Sequence, residues 1–130
     1  MRKRTLLILG LAAALGLAGA VGWPFFGYRI HERWRRRGFD AAAWKDVETL
    51  TNDARLRRVD DLLRRYNFRG MARARVTALL GEPRPTGYFK GWDLVYWLGP
   101  ERGWISIDSE WLVFRLDADK KVSDYKIVRD

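Results

Sequence analysis

The spacing of apolar residues changes once along this chain, at Gly81-Glu82-Pro83, and that change bounds what it can fold into. Before it, Leu56, Val59, Leu62, Leu63 and Tyr66 recur at three- and four-residue intervals, which is one face of a helix. Arg57, Arg58, Asp60, Asp61, Arg64 and Arg65 fill the other face, with Asp60–Arg64 and Asp61–Arg65 in the order that favours ion pairing along a helix. This spacing predicts a helix over residues 54–67, a turn over 67–70 and a second helix over 71–80 with Val76, Leu79 and Leu80 inward. Gly81 is placed to cap that helix, and Pro83 stops it from resuming. Beyond Pro83 the period is two, which predicts strands over 88–98, 111–116 and 122–128. Sequential strands with short links pair antiparallel, so the expected domain is α+β, two helices packed on a three-stranded antiparallel sheet.

Alternation assigns the sheet faces. Leu94, Tyr96, Leu98, Leu112, Phe114, Leu116, Tyr125 and Ile127 are expected to face the helices. Val95, Trp97, Trp111, Val113 and Arg115 fall on the other face and form a candidate protein-interaction surface. The competing reading is that the loop over 99–108, with Trp104 and Ile105, folds back and covers that face.

Ahead of this domain lies a run without any charge, from Thr5 to Tyr28, flanked by Arg2-Lys3-Arg4 and by Arg33, Arg35, Arg36 and Arg37. At about 1.5 Å per residue a helix of that length crosses a hydrocarbon core of about 30 Å. The run is therefore expected to be an N-terminal transmembrane helix, with Trp23, Phe25, Phe26 and Tyr28 at the interface. The alternative is a signal peptide cut after Ala18-Gly19-Ala20, against which the sequence stays apolar past Ala20. Charge leaves the orientation open: five Arg after the run outweigh three Lys/Arg before it, yet a short basic start suits an export signal. The organisation expected is a membrane segment with basic flanks over 1–37, a linker over 38–54 and the α+β domain over 55–130.

The net charge of +9 divides unevenly. Residues 1–37 hold eight Lys/Arg against Glu32, a balance of +7, and the remaining 17 Lys/Arg against 15 Asp/Glu give +2. Most of the excess is thus membrane-flanking, which suits anionic headgroups and argues against nucleic acid as the partner. Within the domain, residues 55–75 carry eight Arg and two Asp. Arg57, Arg58, Arg64, Arg65, Arg69 and Arg73 are accordingly a candidate basic docking face, or simply a solvated helix surface.

Chemistry is sparse. There is no cysteine, which removes disulfides, thiolate nucleophiles and Cys-ligated zinc, and the one histidine, His31, sits beside the membrane run. Asp93, Asp108 and Glu110 could be imagined as acid/base carboxylates, but no His, Cys or metal motif accompanies them, and they read as strand-end and surface charge. Ser106 and Ser109 have no base in a motif, and the glycines form no phosphate loop. A non-enzyme is expected, with no cofactor, metal or small-molecule substrate.

The segment Gly70-Met71-Ala72-Arg73-Ala74-Arg75-Val76-Thr77-Ala78-Leu79-Leu80-Gly81-Glu82-Pro83 resembles the BamE-like (SmpA/OmlA) family of bacterial envelope domains. The likeness continues in Val95-Tyr96-Trp97-Leu98-Gly99, in Ile107-Asp108-Ser109-Glu110-Trp111-Leu112-Val113-Phe114 and in the hairpin after Asp117, and spans about residues 55–130. The resemblance implies a periplasmic, membrane-attached role in outer-membrane protein assembly or envelope integrity. The chain departs from the family in lacking its lipid-bearing Cys, in Ala72 where Thr or Ser caps the helix, and in Lys120 where the hairpin usually has Gly. Together with Thr5 to Tyr28 it implies a single-pass protein of the bacterial inner membrane, its domain facing the periplasm. Its expected partners are the bilayer and envelope proteins.

Overall fold

The computed structural model describes Gly22 and residues 36–46, 53–103 and 105–130. The expected membrane span from Thr5 to Tyr28 lies outside the described residues apart from Gly22, and no described helix is long and apolar enough to cross a membrane. Residues 1–35 and 36–130 are separate units, and the second holds the whole described domain.

That domain is α+β, in the order α1 (Ala41–Lys45), α2 (Leu56–Arg65), α3 (Arg73–Leu80), β1 (Leu94–Pro100), β2 (Ser109–Leu116) and β3 (Val122–Arg129). The strands form one antiparallel sheet in the order β1-β2-β3. Its inner face contributes Leu94, Tyr96, Leu98, Leu112 and Phe114 to the core, with Leu116, Tyr125 and Ile127 packed at the margin. Leu56, Val59 and Leu62 from α2 and Val76 and Leu80 from α3 close the other side. Buried apolar area of this kind, not intrinsic propensity, holds helices of eight and ten residues.

The segment expected as a linker holds a helix within its described residues. Asp40 caps α1 by accepting from the Ala43 N–H at 2.7 Å, and Trp44 is wholly buried. Phe39 packs edge-on to both Trp44 and Tyr66, with ring centroids 5.9 Å apart in each case. Its N–H donates to Asp61 on α2 at 2.6 Å, and the Arg37 N–H donates to the Arg57 carbonyl at 2.9 Å. Five residues cannot hold a helix alone, so α1 exists because its own Trp44 and the preceding Phe39 are buried in the core.

The expected turn over 67–70 contains the centre of the core. Phe68 is wholly buried and meets Phe114 at 5.1 Å and Tyr125 at 5.3 Å, both edge-on. Gly70, at φ 77°, supplies the left-handed step that lets its N–H reach the Val122 carbonyl at 2.8 Å. Ala72 makes no side-chain cap for α3, but the hairpin between β2 and β3 partly substitutes. The Lys120 carbonyl accepts from the Arg73 N–H at 2.9 Å, and the Asp117 carboxylate accepts from the Asp119 and Lys121 N–H groups. Lys120 itself is left-handed, at φ 57°.

The first strand begins at Leu94, six residues later than its apolar pattern predicts. Residues 88–92 instead turn beneath the sheet, with Phe89 at φ 52° and the Trp92 N–H bonded to the Phe89 carbonyl at 2.9 Å. Among the described residues, this turn and the end of β3 cover the outer face. Phe89, Trp92 and Val128 pack on Val95, Trp111 and Val113. Ile105 and Ile107 in the loop are 70% and 83% exposed, and Trp104 lies outside the described residues.

Candidate functional site

The five residues expected on an open sheet face divide sharply. Val113 is wholly buried, Val95 and Trp111 are nearly so, and only Trp97, 37% exposed, and Arg115 reach the surface. Arg115 lies over the Trp92 ring at 4.3 Å and Lys126 over the same ring at 5.2 Å, so two cations flank one indole. Tyr88 packs at a tilt on Trp111, with ring centroids 5.2 Å apart, while remaining 54% exposed. The Trp111 indole N–H donates to the Asp130 carboxylate at 3.1 Å. The face is thus a second, thin apolar layer, and what remains accessible is its rim.

At that rim lies a groove of about 340 Å³ lined by Arg55, Arg84, Pro85, Thr86, Val95, Tyr96, Trp97 and Trp111. Val95 and Trp97 point to one sheet face and Tyr96 to the other, because side chains alternate along a strand. A groove that touches all three consecutive residues therefore straddles the free edge of β1. Arg55 sits against its inner side. Its guanidinium lies 5.4 Å from the Trp44 ring centroid and 6.0 Å from that of Tyr96, and donates to the carbonyls of Trp44 at 3.1 Å and Trp97 at 3.4 Å. Burial, partly offset by Tyr96 and reinforced by Arg84, lowers the Arg55 pKa from its ordinary value. Among the described residues neither Arg55 nor Arg84 has a carboxylate partner. Tyr96 is held in place by donating to the Gly81 carbonyl at 2.7 Å, and burial pushes its phenol well above the usual range.

Five of the six arginines expected as a basic docking face meet a carboxylate within the domain. Arg57 pairs with Asp53 at 2.8 Å, and both Arg64 and Arg65 with Asp61. Arg69 pairs with Asp124 at 3.2 Å, and Arg73 holds Glu82 through two parallel bonds of 2.9 and 3.0 Å. Arg58 donates to the Ala54 carbonyl at 2.9 Å while its Nε is buried without a partner. The sequence excess of Arg over Asp in this stretch missed these partners because Asp124 and Glu82 come from later in the chain. Asp60, expected to pair with Arg64, turns instead to Arg102 at 2.9 Å and Arg36 at 3.4 Å.

Nor are Asp93, Asp108 and Glu110 a chemical group. Glu110, read as surface charge, is 1% exposed. It accepts from the Arg102 backbone N–H at 2.8 Å and from the Arg102 guanidinium at 2.8 and 3.1 Å, with Arg129 at 3.5 Å beyond. Burial alone would lower the Arg102 pKa, but its bonds to Glu110 and Asp60 outweigh that and raise it. Asp93 accepts from the Leu116 N–H at 2.6 Å, a structural clasp, and Asp108 is exposed. Among the described residues no cluster of His, Asp and Glu is arranged to hold a metal ion.

Among the described residues the groove combines the accessible surface of Trp97 with two guanidiniums that meet no carboxylate. Arg55 and Arg84 had no sequence signal beyond their charge, since their relation to Trp97 depends on where α2 and the 84–86 segment dock. Comparison of the chain with protein-family models, with curated proteins and with solved structures finds no match.

Proposed function

We propose that this chain is a non-catalytic adaptor, tethered to the bacterial inner membrane by Thr5 to Tyr28, whose domain faces the periplasm and assists outer-membrane protein assembly or envelope integrity. The observation that carries an adaptor role is the groove at the edge of β1. There the half-exposed Trp97 stands beside two guanidiniums that have no carboxylate partner among the described residues. Apolar anchor, cation and open strand edge are the elements of a protein-binding surface. The membrane tether rests on the uncharged run and its aromatic end, and the envelope role on the resemblance carried by residues 70–83, 95–99 and 107–114.

A phosphatase or fluorescent-protein fusion after Asp130 tests the placement. Active phosphatase and a dark fluorescent protein are expected, and the reverse pattern would refute a periplasmic domain and restore a cytoplasmic one. The intact mass of the isolated protein separates a retained anchor from a soluble periplasmic product cut after Ala20. Cells lacking the protein are expected to become sensitive to large hydrophobic antibiotics, and unaltered permeability where no paralogue compensates counts against the envelope role.

One observation favours a second reading. Ile105 and Ile107 project from the 99–108 loop at 70% and 83% exposure, a suitable shape for capping another protein as an inhibitor or sensor domain. Recovery of one soluble enzyme, in place of envelope assembly proteins, would select it.

A further inference from the structure

Most guanidiniums of this domain meet a carboxylate, as Arg57, Arg64, Arg65, Arg69, Arg73, Arg102 and Arg129 do, while the part-buried Arg58 meets only the Ala54 carbonyl. Arg55 is the exception with the most at stake. It is half-buried, it faces two rings and two backbone carbonyls, and the other charged side chain lining its groove is a second cation, Arg84. Two like charges converge on one groove whose remaining lining is Pro85, Thr86, Val95, Tyr96, Trp97 and Trp111. That lining holds no acid.

Resting on the adaptor reading, we propose that this groove binds an extended acidic segment of the partner protein, which lies along the free edge of β1 and places a carboxylate between Arg55 and Arg84. The shape selects a peptide. The groove follows a strand edge, where an extended chain can run beside Val95, Tyr96 and Trp97. The charge selects an acid, because a planar guanidinium fork holds a carboxylate through two parallel bonds. The exposed part of Trp97, on the opposite face from Tyr96, then receives the apolar side chain next to that acid, since successive residues of an extended segment face opposite ways. Arg55 is prepositioned by its ring and carbonyl contacts and loses little freedom on binding, whereas Arg84 is exposed and supplies the closing half of the clamp.

The test uses the full chain in detergent micelles and a dye-tagged probe peptide of alternating Val and Glu, compared with the same peptide carrying Gln in place of Glu. The acidic peptide is expected to bind at least about tenfold more tightly than its amide counterpart, and Arg84→Gln to remove at least about tenfold of that affinity. Arg84 is exposed and carries no structural bond, so this variant folds, as an unchanged thermal midpoint will show. Equal binding of the two peptides, or no loss on Arg84→Gln, overturns the proposal. So does displacement of the peptide by anionic phospholipid vesicles with the same dependence on Arg84, which would assign the groove to lipid. A photo-crosslinking benzoylphenylalanine in place of Tyr88, which borders the groove through Trp111, keeps this inference apart from the adaptor reading. Crosslinks to an envelope protein that vanish with Arg84→Gln support it. Crosslinks that persist overturn the carboxylate assignment and leave the adaptor standing, and no crosslinks with Arg84 intact overturn both.

Discussion

Glu110 carries more of the fold at a single position than its place at a strand start suggests. With 1% of its surface exposed, it takes three Arg102 donors, one from the backbone and two from the side chain, and draws in Arg129. Arg102 then reaches Asp60 on α2 at 2.9 Å, so one guanidinium joins the sheet to the helical layer. Removing one partner of a buried pair leaves the other desolvated and unmatched, which costs about 3 kcal/mol. Glu110→Gln is expected to lower stability to unfolding in urea by about that amount. In a double-mutant cycle with Arg102→Gln the two losses should sum to clearly more than the double variant loses. If they simply add, the pair is not coupled. In the sequence Glu110 looked like one more strand-end acid, because nothing local announces that Arg102 bends back across eight residues to cover it.

Among the elements, α3 shows how a weak local signal is repaired by distant backbone. Ala72 occupies the capping position with extended dihedrals, φ −63° and ψ 143°, but offers no oxygen to the first turn. Lys120 fills part of the gap by accepting from Arg73, and it does so from a left-handed conformation that costs a non-glycine residue about 1 kcal/mol or more. Ala72 is exposed and already has the dihedrals a capping side chain needs. Ala72→Ser is therefore expected to stabilise the domain by about 1 kcal/mol, read as a raised urea midpoint with unchanged slope. The helix faces and the inward strand residues were all legible from their spacing, because a period of 3.6 or of two is set by backbone geometry alone. The start of β1 was not. Tyr88 to Trp92 reads as strand by composition, but a left-handed Phe89 turns it under the sheet, where its rings cover Val95, Trp111 and Val113.

For the molecule as a whole, the segment before α2 decides where the domain begins. Phe39 and Trp44 enter the core, and the Phe39 N–H is held by Asp61. That bond first, and the Arg64 side chain second, keep the Asp61 carboxyl below its ordinary value of 3.8. A carboxyl lowered on folding stabilises the fold at pH values above its unfolded pKa, and that contribution is lost as pH falls through the lower folded value. Stability is thus expected to decline from about pH 4 downward, and Asp61→Asn to flatten that decline while leaving a less stable domain at neutral pH. A pH series of urea midpoints for both proteins checks this, and parallel acid limbs would show that Asp61 is not the titrating group.

The sequence by itself determined the types and order of α2, α3 and the three strands, the antiparallel sheet and the residues that face its core, but not α1. It also settled the concentration of positive charge around the uncharged N-terminal run. Each of these follows from spacing or from local composition. Beyond the Asp61–Arg65 pair along α2, only the tertiary structure decided which charges cancel, which apolar face is covered and where a groove opens. Asp124 reaches Arg69 across 55 positions, and Arg55 reaches Trp97 across 42. Pairing and burial depend on distance in space, and a chain of this length brings remote residues together only once its layers have docked.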